Sequence, residues 1–169
     1  MVYGNAIARA AELLAERLNH QQLMAVTAES CTGGGIAHVL TSIAGSSRWF
    51  ERGFITYSNE AKQDMLGVQA DILESHGAVS EEAALAMARG AITYSRGHVS
   101  VAVTGIAGPD GGSEEKPVGT VWIAWGQKLG YAEAQRFHFV GGRDAVRQQT
   151  ILEAIRGLNA RLESSQSAK

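Results

Sequence analysis

The chain has 169 residues, with 15 Lys and Arg against 17 Asp and Glu, and 45% of its side chains are apolar. That length suits one domain with a genuine core, and the near-balanced charge, without any Lys/Arg cluster, excludes a nucleic-acid face held by counterion release. One cysteine, Cys31, excludes an internal disulfide; with no signal-like N-terminus and no apolar run of membrane-spanning length, a cytoplasmic protein without membrane partners is expected.

The first periodic segment is a helix over 5–19, where Ile7, Ala11, Leu14 and Leu18 recur at helical spacing behind Asn5 as N-cap. Leu23–Ala28 reads as a buried strand that stops at Glu29-Ser30-Cys31-Thr32 and a run of three glycines. Ile36–Leu40 resumes a helical pattern, Ala44–Ser47 is a loop, and Gly53–Tyr57 is a second strand. A short helix follows over Glu60–Leu66 with Asn59 as its cap, and Ser80 caps another whose first turn holds Glu81 and Glu82. Val99–Val103 is a third strand. From Thr120 the period shortens to two through Trp125 and again over Tyr131–Phe139, which predicts an antiparallel hairpin. A last helix begins near Asp144, with Ile151, Ile155, Leu158 and Leu162 on one face. These elements predict an α/β fold: a single three-layer domain over 1–163 with a mixed sheet, parallel βα units followed by the hairpin, then a disordered tail over 164–169.

Glycine is in excess, 20 residues, and half of them fall in two segments, 33–53 and 105–119. Such clustering marks backbone that must approach something closely. Three polar motifs begin where apolar strands stop: Glu29–Gly34, Tyr57–Lys62 and Thr104–Asp110. In open α/β sheets ligands bind beyond the carboxyl ends of the strands, so parallel neighbours would bring all three motifs to one rim.

Ser30 sits between a strand and the glycines that open a helix. That place presents a hydroxyl beside helix N-terminal N–H groups able to hold a phosphate or an oxyanion; an ordinary capping serine, taken alone, is the commoner case there. Lys62, third in its helix behind Asn59, stands where the macrodipole disfavours a cation. A lysine that works neutral, as a base for a serine hydroxyl, fits there; so does a solvated lysine tolerating up to about 1 kcal/mol. Tyr57, Ser46, Ser47 and Thr104 add hydroxyls near the strand ends, and Arg143 is placed to meet a phosphate or to pair with Asp144. Asp110, Glu114 and Glu115 raise a metal site, but charges in a Gly/Pro loop are usually solvated, and the five histidines lack metal-ligand spacing. Cys31 is either a second nucleophile candidate or a small buried hydrophobe.

Thr27-Ala28-Glu29-Ser30-Cys31-Thr32-Gly33-Gly34, Ala44-Gly45-Ser46-Ser47, the run Gly53–Lys62 and Gly105-Ile106-Ala107-Gly108-Pro109-Asp110-Gly111-Gly112 together resemble the CinA C-terminal domain family. The resemblance spans residue 5 to about 160; the N-terminal domain of full-length CinA proteins lies outside it. It implies hydrolysis of the carboxamide of nicotinamide mononucleotide, giving nicotinate mononucleotide and ammonia within NAD recycling. By position it makes Ser30 the nucleophile and Lys62 its base, with Tyr57 in the catalytic group, Ser47 and Thr104 in the pocket, and Arg143 on the phosphate. The same segments put Gly33, Gly45, Asn59, Gly105 and Ala107 among the residues expected to bind substrate. A homodimer is implied, with a small-molecule nucleotide as substrate and neither metal nor cofactor. A non-catalytic nucleotide-binding module and a Cys31 amidase remain as alternatives.

Overall fold

The computed structural model describes residues 3–167. In chain order its elements are α1 (Gly4–Gln21), β1 (Ala25–Glu29), α2 (Gly35–Thr41), β2 (Phe50–Ile55), α3 (Asn59–Leu66), α4 (Ala70–His76), α5 (Glu81–Thr93), β3 (Val99–Gly105), β4 (Thr120–Gln127), β5 (Ala132–His138) and α6 (Arg143–Ser167). One five-stranded sheet has the order β2-β1-β3-β4-β5. Its β2-β1-β3 half is parallel and its β3-β4-β5 half antiparallel, the mixed sheet expected.

Central β1 is buried along its whole length, as a strand covered on both faces must be. Alternation then divides its neighbours between two cores. Val101 and Val103 pack with α1, α2 and α6 around Leu14, Ile36 and Ile155. Val26, Ala28 and Ala102 face the opposite layer, where Leu66, Leu73 and Met87 come from α3, α4 and α5. The result is three layers, helices on both sides of the sheet.

Register fixes the rim. Glu29 pairs with Ile55 on one side and Val103 on the other, so Ser30, Thr56 and Thr104 lie one residue beyond the same row. The α3 helix, which carries Lys62, is held down by close contact with α5. A Cβ on Gly90 would stand 2.1 Å from the Leu66 carbonyl oxygen, backbone that has nowhere to go. Gly90→Ala is therefore expected to destabilise the protein by about 1–3 kcal/mol, read as a lower urea midpoint with unchanged m-value.

Several local expectations are corrected. Tyr3, not Asn5, precedes α1, and Asn5 lies inside the helix. Ser58 rather than Asn59 caps α3, its hydroxyl accepting from the Ala61 N–H at 3.0 Å; this moves Lys62 to the fourth helical position. The β2 strand begins earlier and ends earlier than expected, because Thr56 and Tyr57 already bend toward α3. Helix α4, seven residues long, was too short for periodicity to announce. The α6 helix runs on to Ser167, into the segment expected as tail. No Gly or Pro stops it there, and Ser164 and Ser165 donate back to the Ala160 and Arg161 carbonyls at 3.0 Å each. Residues 168 and 169 of that tail lie outside the described residues.

Candidate active site

Ser30 leaves β1 with its N–H donated to the Val103 carbonyl at 3.0 Å, while its own carbonyl accepts from Gly33 N–H. Gly33 and Gly34 follow with φ of +58° and +97°, left-handed backbone that only glycine adopts freely. The chain thus reverses into α2 and leaves the hydroxyl at the rim. Lys62 reaches it from the other helical layer. Its Nζ lies 2.9 Å from Ser30 Oγ, 2.9 Å from the Thr56 carbonyl and 3.4 Å from the Tyr57 carbonyl.

Lys62 is 1% exposed, and no carboxylate among the described residues pairs with it. Burial is what lowers its pKa below the ordinary lysine value, only partly opposed by the neighbouring Cys31. Nζ donates to the two carbonyls and stands in hydrogen-bond contact with the Ser30 hydroxyl; a neutral amine there would turn its lone pair to that hydroxyl. Cys31 behaves in the opposite sense: burial pushes its thiol up to about 12, so it holds its proton and makes a poor nucleophile.

One expectation about this turn is overturned. The N–H groups at the start of α2 are not open to a ligand, because the Glu29 carboxylate takes them: Ile36 N–H donates to Oε1 at 2.8 Å and Ala37 N–H to Oε2 at 3.0 Å. An acid closing an otherwise uncharged strand was the available signal for Glu29, and no local capping pattern marks a contact seven and eight residues ahead. Thr56 acts through its carbonyl, for which a sequence carries no signal at all.

A cleft of about 290 Å³ opens over the pair. Ser30, Lys62, Tyr57, Asn59, Thr104 and Arg143 line it, as does the turn containing Gly105 and Ala107. The Thr104 hydroxyl donates to the Ala78 carbonyl at 2.8 Å, tying the third strand end to the segment before α5. Arg143 donates to the Gly108 carbonyl at 2.8 Å and to the Tyr57 hydroxyl at 3.1 Å, rather than pairing with Asp144. Asp110 also lines the cleft. Gly33 belongs to the Ser30 turn but is not part of the cleft wall. Gly45 and Ser47 lie elsewhere: their short 3-10 turn, Ser46–Arg48, enters β2 beside Ala25, at the opposite end of the sheet.

The family model of the CinA C-terminal domain matches residues 7–162. The chain belongs to the CinA C-terminal domain family. Nicotinamide-nucleotide amidohydrolase PncC of Escherichia coli K12 is 53% identical over 147 residues, 87% of this chain and 89% of that protein. The PncC protein of Pseudomonas putida is 51% identical over 145 residues, 86% of this chain and 90% of its own length. Among solved structures, the competence/damage inducible protein CihA from Agrobacterium tumefaciens superposes with a TM-score of 0.90 at 47% identity, covering 94% of this chain and 96% of that one.

This CinA-family domain also has a larger groove, about 630 Å³, between α1, α2 and α6, walled by side chains such as Ile7, Val39 and Ile151. It takes nothing from Ser30, Lys62 or the 104–110 turn. Chemistry, not volume, places the candidate site in the smaller cleft.

Proposed function

We propose that this chain hydrolyses the carboxamide of nicotinamide mononucleotide to nicotinate mononucleotide and ammonia, within NAD recycling, by a Ser30–Lys62 mechanism. The observation that carries the proposal is the 2.9 Å contact between a buried, carboxylate-free Lys62 Nζ and Ser30 Oγ. The PncC relatives supply the substrate class.

Lys62 takes the Ser30 proton as Oγ bonds to the carboxamide carbon and the carbonyl π electrons move onto oxygen. Backbone N–H groups of the turns around the cleft stabilise that oxyanion; one such donor typically contributes about 3–4 kcal/mol of barrier lowering. The tetrahedral adduct collapses as the C–N bond breaks, and Lys62 hands its proton to the departing nitrogen, which leaves as ammonia. Water then enters the vacated place, loses a proton to Lys62 and attacks the acyl carbon. Ser30 leaves with that proton, and the carboxylic acid released gives its own proton to solvent to become the carboxylate.

Arg143 holds the phosphate with the guanidinium N–H groups not engaged by Gly108 and Tyr57. Tyr57 joins the two ends of the site, since its hydroxyl accepts from Arg143 while its carbonyl receives Lys62. Asn59, Thr104, Gly105 and Ala107 complete the wall. The enzyme works as a cytoplasmic homodimer, as the resemblance implies; no described helix is long and apolar enough to cross a membrane.

The test is ammonia release coupled to nicotinate mononucleotide formation, with nicotinamide riboside, which lacks the phosphate, as comparison. The mononucleotide is expected to be strongly preferred, and Arg143→Ala to raise its KM about tenfold to a hundredfold while the riboside is unaffected. Binding of the nucleotide without ammonia release would overturn the proposal in favour of a non-catalytic binding module.

A further inference from the structure

We infer that Glu29 is a positioning residue for the Ser30 nucleophile, a buried internal anion that fixes the turn on which the hydroxyl rides. This role presupposes the amidase chemistry proposed above. Glu29 is 0% exposed, and no Lys, Arg or His forms a salt bridge with it among the described residues. A carboxylate in that condition must be held by donors, and every donor it has belongs to the segment just after Ser30. Thr32 Oγ1 donates to Oε1 at 2.6 Å, Ile36 N–H to the same oxygen at 2.8 Å, and Ala37 N–H to Oε2 at 3.0 Å. The two amides are unsatisfied donors of the first turn of α2, where the macrodipole favours negative charge.

The backbone of Glu29 is committed to the other half of the pair. Its carbonyl accepts the Thr56 N–H at 2.9 Å, and the Thr56 carbonyl in turn accepts from Lys62 Nζ at 2.9 Å. One residue therefore clamps the nucleophile turn through its side chain and the lysine's anchor through its main chain. The Gly33–Gly35 run needs such a clamp, because it brings flexible backbone to the place where a hydroxyl must be held still. The same carboxylate fills the donors at the start of α2, so substrate phosphate is left to the Arg143 side of the cleft.

The test compares Glu29→Gln, Thr32→Val and Thr32→Ser with wild type, reading kcat and KM for nicotinamide mononucleotide. A second readout is the rate and stoichiometry of Ser30 labelling by a small fluorophosphonate. Stoichiometry counts folded sites, while the rate reports the hydroxyl itself. Glu29→Gln places an amide N–H against a donor and is expected to lower kcat on the order of 10²-fold, as misplacement by about 1 Å does, with KM within about threefold of wild type. Thr32→Val removes one of the three bonds and should lower kcat roughly tenfold. Thr32→Ser, which restores the hydroxyl, should recover most of that loss; a purely structural role would cut the number of labelled sites, not kcat per site. Undiminished kcat and labelling rate per site in Glu29→Gln and Thr32→Val would overturn the inference. Should Glu29→Gln not fold, the Thr32 pair decides alone. A wild type inert toward the nucleotide would sink the proposed function, and the labelling rates would still decide the role of Glu29.

Discussion

Ser30→Ala is expected to lower turnover of nicotinamide mononucleotide by on the order of 10⁴-fold or more, with nucleotide binding retained. Only Oγ is lost. The Ser30 N–H still donates to Val103, and Lys62 keeps its carbonyl partners at Thr56 and Tyr57, so the fold has little reason to change. Groups that act as one unit are non-additive, and the double variant with Lys62→Ala should be hardly worse than Ser30→Ala alone. Steady-state kinetics and calorimetric nucleotide titration on the single and double variants would check this. A Ser30→Ala protein that still turns over would reduce Ser30 to a turn residue. Cys31→Ala, by contrast, is expected to stay active, because burial keeps its thiol protonated.

Lys62→Ala should lower kcat about 10²–10⁴-fold, the usual contribution of a positioned general base. Lys62→Arg should not rescue it, since a guanidinium does not give up its proton. The pH dependence follows from the direction of the Lys62 shift. Only the neutral amine accepts the serine proton, so kcat/KM rises as pH rises through the Lys62 pKa, which burial holds below the ordinary lysine value. The stability linkage has the same sign. Between the lowered folded pKa and the ordinary unfolded one, the unfolded chain binds more protons, so stability rises with pH across that window. A pH–rate profile whose acid limb persists unchanged in a residually active Lys62→Ala variant would assign that limb, and the base, to another group.

The strand-end motifs were legible because each is a polar interruption of an apolar run, and parallel pairing then brings Ser30, Thr56 and Thr104 into one row. Lys62 was legible through the dipole, although Ser58 takes the capping place read for Asn59. What stayed hidden is non-local. Burial is the cause that lowers the Lys62 pKa, and no window of sequence reveals that burial or that Thr56 and Tyr57 would offer it their carbonyls. Gly45 and Ser47 lie apart from this row within the single chain. Gly-Ser-Ser has the look of a ligand loop, but a seven-residue α2 returns the chain to the far end of the sheet before β2 begins. Glu29 opens the first of these motifs, but its partners, the Ile36 and Ala37 amides, lie seven and eight residues ahead, beyond any local pattern.

Ser30 and Lys62 hang from opposite sides of the sheet. Ser30 leads into α2, whose Ile36 and Leu40 pack with α1 and α6; Lys62 rides on α3, whose Leu66 packs with α5. Their 2.9 Å contact, like that of Arg143 with Tyr57, is therefore a junction between the two helical layers beyond the strand ends. Because the two residues ride on separate layers, the contact depends on both layers being seated together. Under the proposed mechanism the pair is a coincidence detector for native packing, and mild denaturant is expected to silence the enzyme before the sheet comes apart.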